Sequence, residues 1–461
     1  MTIPPHIFKG YDIRGLYPEE LNEENIVVIV SAIYSFFKKG KSENESLTVV
    51  VGTDMRISSP SLTQKAIGTL ISLGANVIDI GIVSTPTFYF AVYNYGYEYG
   101  MQITASHNPP EWNGVKFVKR GPNGLIKIGK STGMDEVKQI AIANELPKPS
   151  SSPGSVIKKT GILEEEVNNA HKIAGGGEIK KFKIVADPAN AMGSQYIEAL
   201  FEKFPQDLVR MNFELDGTFP AHQPDPLQTE TLVDLQKRVI QEKADLGLAP
   251  DGDGDRLFFI DEKGDIVPPT AITSIVAKSL LKDNPGSTVY VDIRYLATPK
   301  KIIEENGGKM VVTRVGHAYI TEAMNKSGGI FAGESSAHYF FRETGNAESQ
   351  MPVILMVLKA MGDEGKPLSE IVKENTRGYE SGEFNFKVTN APEILEALQE
   401  KYKDGRLDTM DGVAISYPNF RFSVRTSNTE PLLRLNLEAN EKRIMEEKRD
   451  EVISVIKSLA K

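Results

Sequence analysis

The 461 residues include no cysteine. Disulfides, thiolate zinc sites, iron–sulfur clusters and cysteine nucleophiles are therefore excluded, and a reducing compartment is compatible with the chain. Basic charge is also short: 53 Lys and Arg face 62 Asp and Glu, a formal net charge of −9. With no surplus to neutralise phosphates, nucleic acid is not an expected partner. A small anionic substrate responds to local field rather than net charge and stays open. Long hydrophobic runs are missing as well. The longest, from Ile26 to Phe37, is broken by serines and spans about 12 residues, too few to cross a bilayer. It follows Glu19, Glu20, Glu23 and Glu24 and precedes Lys38-Lys39-Gly40, the start and stop signals of a buried soluble helix. The first residues, Met-Thr-Ile-Pro-Pro-His6, lack the basic end and apolar core of a secretory leader. The expectation is a soluble, cytoplasmic protein with no membrane partner.

What is present is ordinary globular material, 40% hydrophobic and 25% charged, enough for a sizeable core. At about 150 residues per domain the length suggests roughly three domains. Three segments share one grammar. Thr48–Val51 runs into Gly-Thr-Asp54-Met-Arg56, then a helical stretch to Leu73, then the strand-like Asn76–Ile80. Lys183–Ala186 runs into Asp187-Pro-Ala-Asn190 and a helix toward Phe204. Thr288–Val291 runs into Asp292-Ile-Arg294, a helix to Asn306, and Met310–Thr313. Strands alternating with helices argue for parallel α/β units, and their recurrence argues for three related ones. Loops at the carboxyl ends of such strands face ligand. The tail differs: Asn419–Val424 and Leu432–Leu437 read as paired strands, and Glu441 to Lys461 as an amphipathic helix. The expected fold is therefore three related α/β domains with mixed or parallel sheets, plus a smaller C-terminal α+β domain, around a central cleft. The expected bounds are 1–150, 151–256, 257–369 and 370–461, the first suggested by the Pro- and Ser-rich stretch at 147–154.

Four loops carry chemistry. In Asp251-Gly-Asp253-Gly-Asp255-Arg256, three carboxylates at alternate positions can bend around one hard cation, because glycine permits the required backbone angles. An EF-hand is rejected: Arg256 stands where that loop needs glycine, and Leu257–Ile260 reads as a strand. Three ligands leave positions open for substrate phosphate, which suits Mg²⁺. Thr104-Ala-Ser106-His107-Asn108-Pro109 places a hydroxyl, an imidazole and an amide on one turn. Side chains of adjacent residues are expected to diverge, so a Ser106–His107 dyad is not expected. A serine that accepts a phosphoryl group beside a metal needs no such base, although an ordinary Asn-Pro turn has the same composition. Arg425-Thr-Ser427-Asn428-Thr429 offers a guanidinium fork, hydroxyls and an amide to a phosphate, or is simply a polar hairpin loop. Gly333-Glu334-Ser-Ser336-Ala-His338 supplies hydrogen-bonding groups for sugar hydroxyls and an imidazole for proton transfer. Two further patterns, Gly124 to Ser131 and Gly129 to Gly133, match phosphate-loop and nucleophile-elbow spacing, but the stretch reads as a hairpin instead. His6, His171 and His222 have no motif context, and Trp112 reads as packing.

Taken in order along essentially the whole chain, these loops resemble the α-D-phosphohexomutase family, of the bacterial phosphomannomutase/phosphoglucomutase type. The opening Phe8-Lys-Gly-Tyr11-Asp-Ile-Arg14-Gly15 is similar to its amino-terminal signature. The resemblance implies that Ser106 is the phosphorylated serine and that Asp251, Asp253 and Asp255 hold Mg²⁺ together with a phosphoserine oxygen. It implies Lys116 and His338 as general acid/base groups. Tyr11, Arg14, His107 and Arg256 would surround the phosphoserine, Arg294 and His317 would line the cleft, and Glu334 and Ser336 would bind sugar O3 and O4. Arg425, Ser427, Asn428 and Thr429 would grip the phosphate that is not being transferred. The implied reaction interconverts hexose 1- and 6-phosphates, of mannose or glucose, through a glucose or mannose 1,6-bisphosphate that reorients in a closing cleft. A glucosamine-phosphate mutase and a Mg²⁺-dependent phosphatase are the alternatives. The family's usual Gly-Glu-Met-Ser-Gly-His has Ser335 and Ala337 here in place of Met and Gly, which bears on the choice of sugar. A monomer or homodimer is expected.

Overall fold

The computed structural model describes residues 3–42, 45–426 and 432–460. The three repeated segments build three sheets with one shared topology. In the first, Thr48–Thr53 lies between Asn76–Ile82 and Tyr99–Ile103, all three parallel, and Trp112–Arg120 returns antiparallel to Tyr99–Ile103. In the second, Lys183–Ala186 lies between Asp207–Arg210 and Leu246–Pro250, with Leu257–Asp261 antiparallel. In the third, Thr288–Asp292 lies between Lys309–Thr313 and Phe331–Gly333, with Tyr339–Phe341 antiparallel. Each parallel step needs a crossover, and a helix supplies it every time: Ser59–Ser72 and Thr85–Asn94, Gly193–Lys203 and Val233–Glu242, Ala297–Glu305 and His317–Ser327. Helices cover the faces, so the central strands are buried almost throughout and read as continuous apolar runs.

This topology places the site. The third strand of each repeat turns back directly into the fourth, and that reversal is a loop at a strand's carboxyl end. The loops at 104–111, 251–256 and 334–338 are these three reversals. Three of the four chemical motifs therefore occupy one topological position, repeated.

The fourth sheet is wholly antiparallel, in the order Tyr379–Lys387, Leu432–Ala439, Phe420–Thr426, Val413–Ser416, Arg406–Asp408. Helices Ala391–Lys401 and Lys442–Leu459 pack their apolar residues against it. It docks on the third repeat through Glu438, whose carboxylate accepts the Leu296 and Ala297 N–H groups at the start of a helix (2.9–3.1 Å). The largest apolar cluster runs through the second and third repeats; the first repeat has one of its own and a second that takes in Ile162 and Ala347 of the other two, and the tail has its own.

The expected hairpin forms from Trp112–Arg120 and Leu125–Lys127. Three expected bounds move. Val156–Lys158 hydrogen-bonds to Asn76–Ile82, so the first sheet extends past residue 150. Leu257–Asp261 and Ile266–Val267 complete the second sheet, so it extends past 256. Residue 369 falls inside helix Leu368–Glu374, whose Leu368 and Ile371 belong to the core shared by the second and third repeats. In each case backbone hydrogen bonding or apolar packing overrides the composition signal. Among the described residues, no helix is long and apolar enough to cross a membrane.

Candidate active site

Ser106 sits in the first reversal with φ +54°, the left-handed region that most side chains avoid. Its N–H donates to Thr104 Oγ1 (2.9 Å). Its Oγ lies 3.2 Å from Asp251 Oδ2 and 3.2 Å from His107 Nδ1. The second distance corrects the sequence expectation, since the left-handed turn brings two adjacent side chains to the same side. Burial and the positive charges of Arg256 and Arg14 hold the His107 ring well below the usual imidazole range, so it stays neutral. Arg14 pairs with Asp12 (2.8 Å) and donates to Asn108 of the same loop.

The second reversal folds Asp251, Asp253 and Asp255 into a buried cluster whose oxygens lie within 4.8 Å of one another. Gly254 turns the chain at φ +76°. Gly252 lies so close to the first reversal that a Cβ there would overlap the Ser106 carbonyl oxygen. Lys116, from the first sheet, places Nζ 2.6 Å from Asp253 Oδ2 and 2.6 Å from Asp255 Oδ2. Burial alone would push this ammonium down, but the two carboxylates outweigh it and hold it well above the ordinary lysine value. Thr85, at the start of helix Thr85–Asn94, donates its hydroxyl to Asp253 Oδ2 (2.6 Å). Burial and the neighbouring Asp255 and Asp253 charges push the Asp251 carboxyl well up. Lys116 and His338 hold that of Asp255 well down against its burial. Asp253 Oδ1 is buried with no hydrogen-bond partner. An orphaned carboxylate oxygen within an all-oxygen triad fits a small hard cation.

The third reversal is a charge network. Glu334 accepts the Gly316 N–H (2.9 Å), lies 2.9 Å from His338 Nδ1 and 3.3 Å from Arg294. His338 Nε2 lies 3.2 Å from Asp255 Oδ1, tying this reversal to the second. Burial would lower the imidazole, but Asp255 and Glu334 raise it to about 9, so the ring is doubly protonated and donates to both. Arg294 is held by Asp292 (2.8 Å) and reaches Ser336 Oγ (3.3 Å). Arg256 lies 3.3 Å from Asp225 and 3.4 Å from His338 Nε2. His317 opens helix His317–Ser327 and lies 3.8 Å from Glu348. Burial, with Lys127 and Lys116, lowers its pKa well below the usual value.

Tyr11 stands on the third repeat's side of the crevice. Its hydroxyl donates to Val315 O (3.1 Å) and its ring lies 5.1 Å from that of His317. Arg425, at the end of the fourth sheet's Phe420–Thr426, is buried 3.7 Å from Glu383, which is itself 3.8 Å from Arg294. Ser427, Asn428 and Thr429 lie outside the described residues. The hydroxyl, the carboxylates, the sugar loop and the tail arginine thus converge from all four units. Of the decoy stretch, Ser131 is exposed, 3.3 Å from Glu322, while Lys127 is buried against Glu348, which lies 3.8 Å from His317.

Sequence reasoning missed Asp54, Arg56, Thr85, Asp225, Glu348 and Glu383. One signal was available. Asp54-Met-Arg56 and Asp292-Ile-Arg294 follow equivalent strands, and both fold into the same turn. In each, the Asp accepts the N–H two residues on and pairs with that residue's guanidinium.

Residues 5–144, 166–264 and 268–379 match the phosphoglucomutase/phosphomannomutase alpha/beta/alpha domains I, II and III, and residues 383–455 match the C-terminal domain of the same family. The phosphomannomutase of Methanocaldococcus jannaschii is 37% identical over 98% of each chain, and that of Vibrio cholerae 34% identical over 98% of each. The crystal structure of a phosphoglucomutase/phosphomannomutase family protein from Burkholderia thailandensis superposes with a TM-score of 0.88 at 27% identity, covering 100% of this chain and 99% of that one. With all four units matched in order and full-length relatives above 30% identity, the chain belongs to the phosphoglucomutase/phosphomannomutase family.

Proposed function

We propose that this chain is a phosphohexomutase that interconverts the 1- and 6-phosphates of mannose, glucose or both, with Ser106 carrying the phosphoryl group between turnovers. The observation that carries this reading is the 3.2 Å approach of Ser106 Oγ to Asp251 inside a buried triad of carboxylates. In the first half-reaction the sugar hydroxyl oxygen bonds to phosphorus as the Ser106 Oγ–P bond breaks, and the hydroxyl's proton is made up on the departing Ser106 Oγ, leaving the serine neutral. The bisphosphosugar then turns end for end, and its other phosphate returns to Ser106. Asp251, Asp253 and Asp255 would hold Mg²⁺ with an oxygen on Ser106, and the ion would neutralise charge on the transferring group. Lys116 and His338 are the proton-transfer candidates. His338, protonated at neutral pH, suits donation to a departing oxygen. Arg14, Arg256 and neutral His107 border the phosphoserine. Glu334 and Ser336, already oriented by His338 and Arg294, would receive the sugar hydroxyls. Tyr11, His317 and Arg294 line that side, and Arg425 with Ser427, Asn428 and Thr429 would hold the second phosphate. Rotation of the tail domain would close the crevice and exclude water that would otherwise hydrolyse phosphoserine. A cytoplasmic location and a monomeric or homodimeric state complete the reading.

The test is a coupled assay on mannose 1-phosphate and glucose 1-phosphate, primed with the 1,6-bisphosphate, for wild type and Ser106→Ala. Isomerisation well in excess of free phosphate release is expected from the wild type, together with an added phosphate in its intact mass. Full turnover by Ser106→Ala would remove the nucleophile and with it the proposal.

A further inference from the structure

The loop that presents Ser106 is irregular, and its carbonyl oxygens from Ser106 to Pro109 have no sheet ladder to satisfy them. Arg56 takes four of the carbonyls between residues 106 and 112, and Gln223 Nε2 takes that of His107 (3.0 Å). Arg56 is fully buried and uses all five of its N–H donors. Nε donates to Asp54 Oδ2 (3.1 Å), one terminal nitrogen to Pro109 O (2.7 Å) and Trp112 O (2.9 Å), and the other to Ser106 O (2.8 Å) and Asn108 O (2.6 Å). Asp54 fixes the base of this fork by also accepting the Arg56 N–H (3.1 Å) and the Ser59 hydroxyl (2.5 Å). From the second repeat, the Phe219 ring covers the guanidinium at 5.1 Å. The Ser106 carbonyl is thus held by Arg56 while its Oγ faces Asp251.

We propose that Arg56, anchored by Asp54, is the positioning residue for the Ser106 nucleophile: a saturated guanidinium fork that fixes the left-handed turn at Ser106 and so sets where Oγ meets the transferring phosphorus. It touches no substrate and takes no proton. The third repeat supports the assignment independently. There the equivalent turn puts Arg294 under the third reversal, on Ser336 Oγ and Glu334. In the second repeat Ala189 stands two residues after Asp187, where the other repeats have arginine, and that reversal carries no nucleophile and no sugar-binding group. The inference rests on Ser106 being the phosphoryl carrier.

The experiment compares wild type, Arg56→Lys, Asp54→Asn and Ser106→Ala as full-length protein. Three quantities are read: kcat and KM for glucose 1-phosphate, the single-turnover rate at which glucose 1,6-bisphosphate phosphorylates the protein, followed by intact mass, and the melting temperature. Lysine keeps the charge but has three donors on one point and cannot span four carbonyls. A reacting atom displaced by about 1 Å costs roughly 10²-fold in rate. Arg56→Lys is therefore expected to lose kcat and the single-turnover rate together, by roughly 10²-fold, with KM within about twofold of wild type. Asp54→Asn, which loosens one end of the fork, is expected to lose about fivefold in the same two rates. A folded Arg56→Lys with kcat within about threefold of wild type overturns the proposal. If Arg56→Lys does not fold, Asp54→Asn decides, and an unchanged single-turnover rate there overturns it. Full activity in Ser106→Ala instead overturns the functional reading itself, so the two failures are distinct.

Discussion

Two of the contacts between the first and second repeats treat charge in opposite ways. At the crevice, three carboxylates of the second repeat receive Lys116 from the first, 2.6 Å from two of them. Behind the crevice, Glu166 on helix Ile162–Ile173 is buried against Thr87 of the first repeat, and among the described residues no cation pairs with it. One helix serves both contacts. The start of Thr85–Asn94 meets Asp253 through Thr85, and two residues later Thr87 meets Glu166. The lesson is that burial alone does not define the site. Lys116 and His338 keep Asp255 ionised against its burial, whereas Glu166, buried with no cation beside it, resolves its cost by holding a proton.

Removing the match at the crevice gives the largest effect. Lys116→Met leaves Asp253 and Asp255 buried without their ammonium. Turnover is expected to fall by roughly 10²–10⁴-fold, the usual weight of a proton-transfer group. Stability in EDTA should fall by about 3–5 kcal/mol, as when one partner of a buried ion pair is deleted. Because a cation can replace the lost charge, added Mg²⁺ should raise the melting temperature of this variant more than that of wild type. Equal melting of the two proteins in EDTA would mean that Lys116 does not balance the triad.

Gly252→Ala strains the same contact without changing charge. The new methyl group overlaps the Ser106 carbonyl oxygen, so one loop must retreat from the other. We expect about 1–3 kcal/mol of destabilisation in a denaturant melt and roughly 10²-fold lower turnover from a displaced nucleophile. Wild-type turnover would show that the two reversals move independently.

The rear contact gives a smaller, pH-dependent effect. Burial raises the Glu166 carboxyl from its ordinary 4.5 to about 7. The folded state therefore keeps a proton that the unfolded chain releases above pH 4.5, and stability falls as pH rises through this window and levels off above pH 7. Glu166→Gln mimics the protonated form. It should flatten that slope and stabilise the protein by about 3 kcal/mol at pH 8, with little change at pH 4.5. Denaturant melts at the two pH values measure this directly. A parallel offset at both would indicate a cation near Glu166 that the geometry does not provide.

Most of the fold and most of the residues gathered at the candidate site were legible in the sequence. Local features carried their own signals: the apolar stretch after Glu24, the hairpin around Gly121–Gly124, the strand-loop-helix grammar, and the alternating Asp-Gly of residues 251–255. What escaped depends on distance in the chain. Arg56 matters because of four carbonyls some fifty residues away, and an arginine after an aspartate looks the same whether it lies under a loop or in solvent. Thr85 and Glu166 gain their roles from a contact between repeats, and the unit bounds from which strands hydrogen-bond. The approach of Ser106 to His107 was misjudged because a positive φ at serine leaves no mark in composition.

That backbone feature extends the comparison to all three reversals. Each contains one left-handed residue: Ser106 in the first, Gly254 in the second and Ala337 in the third, at φ +54°, +76° and +67°. Glycine adopts this region freely, and a residue with a Cβ pays roughly 1–2 kcal/mol for it. In the proposed function serine is needed for its hydroxyl. Alanine supplies no chemistry, and its N–H and carbonyl already bond to Glu334 O (2.9 Å) and Leu257 N (3.0 Å), bonds that glycine would keep. Ala337→Gly therefore relieves strain in the folded state while gaining entropy in the unfolded one, a loss of about 0.4–1 kcal/mol. The two nearly cancel, leaving a net stabilisation of less than about 1 kcal/mol. A melting temperature equal to or slightly above wild type is the expected result. A clear drop would mean that the methyl group, fully buried at this position, packs for more than the strain costs, and that the third reversal is held by its core rather than by its hydrogen bonds.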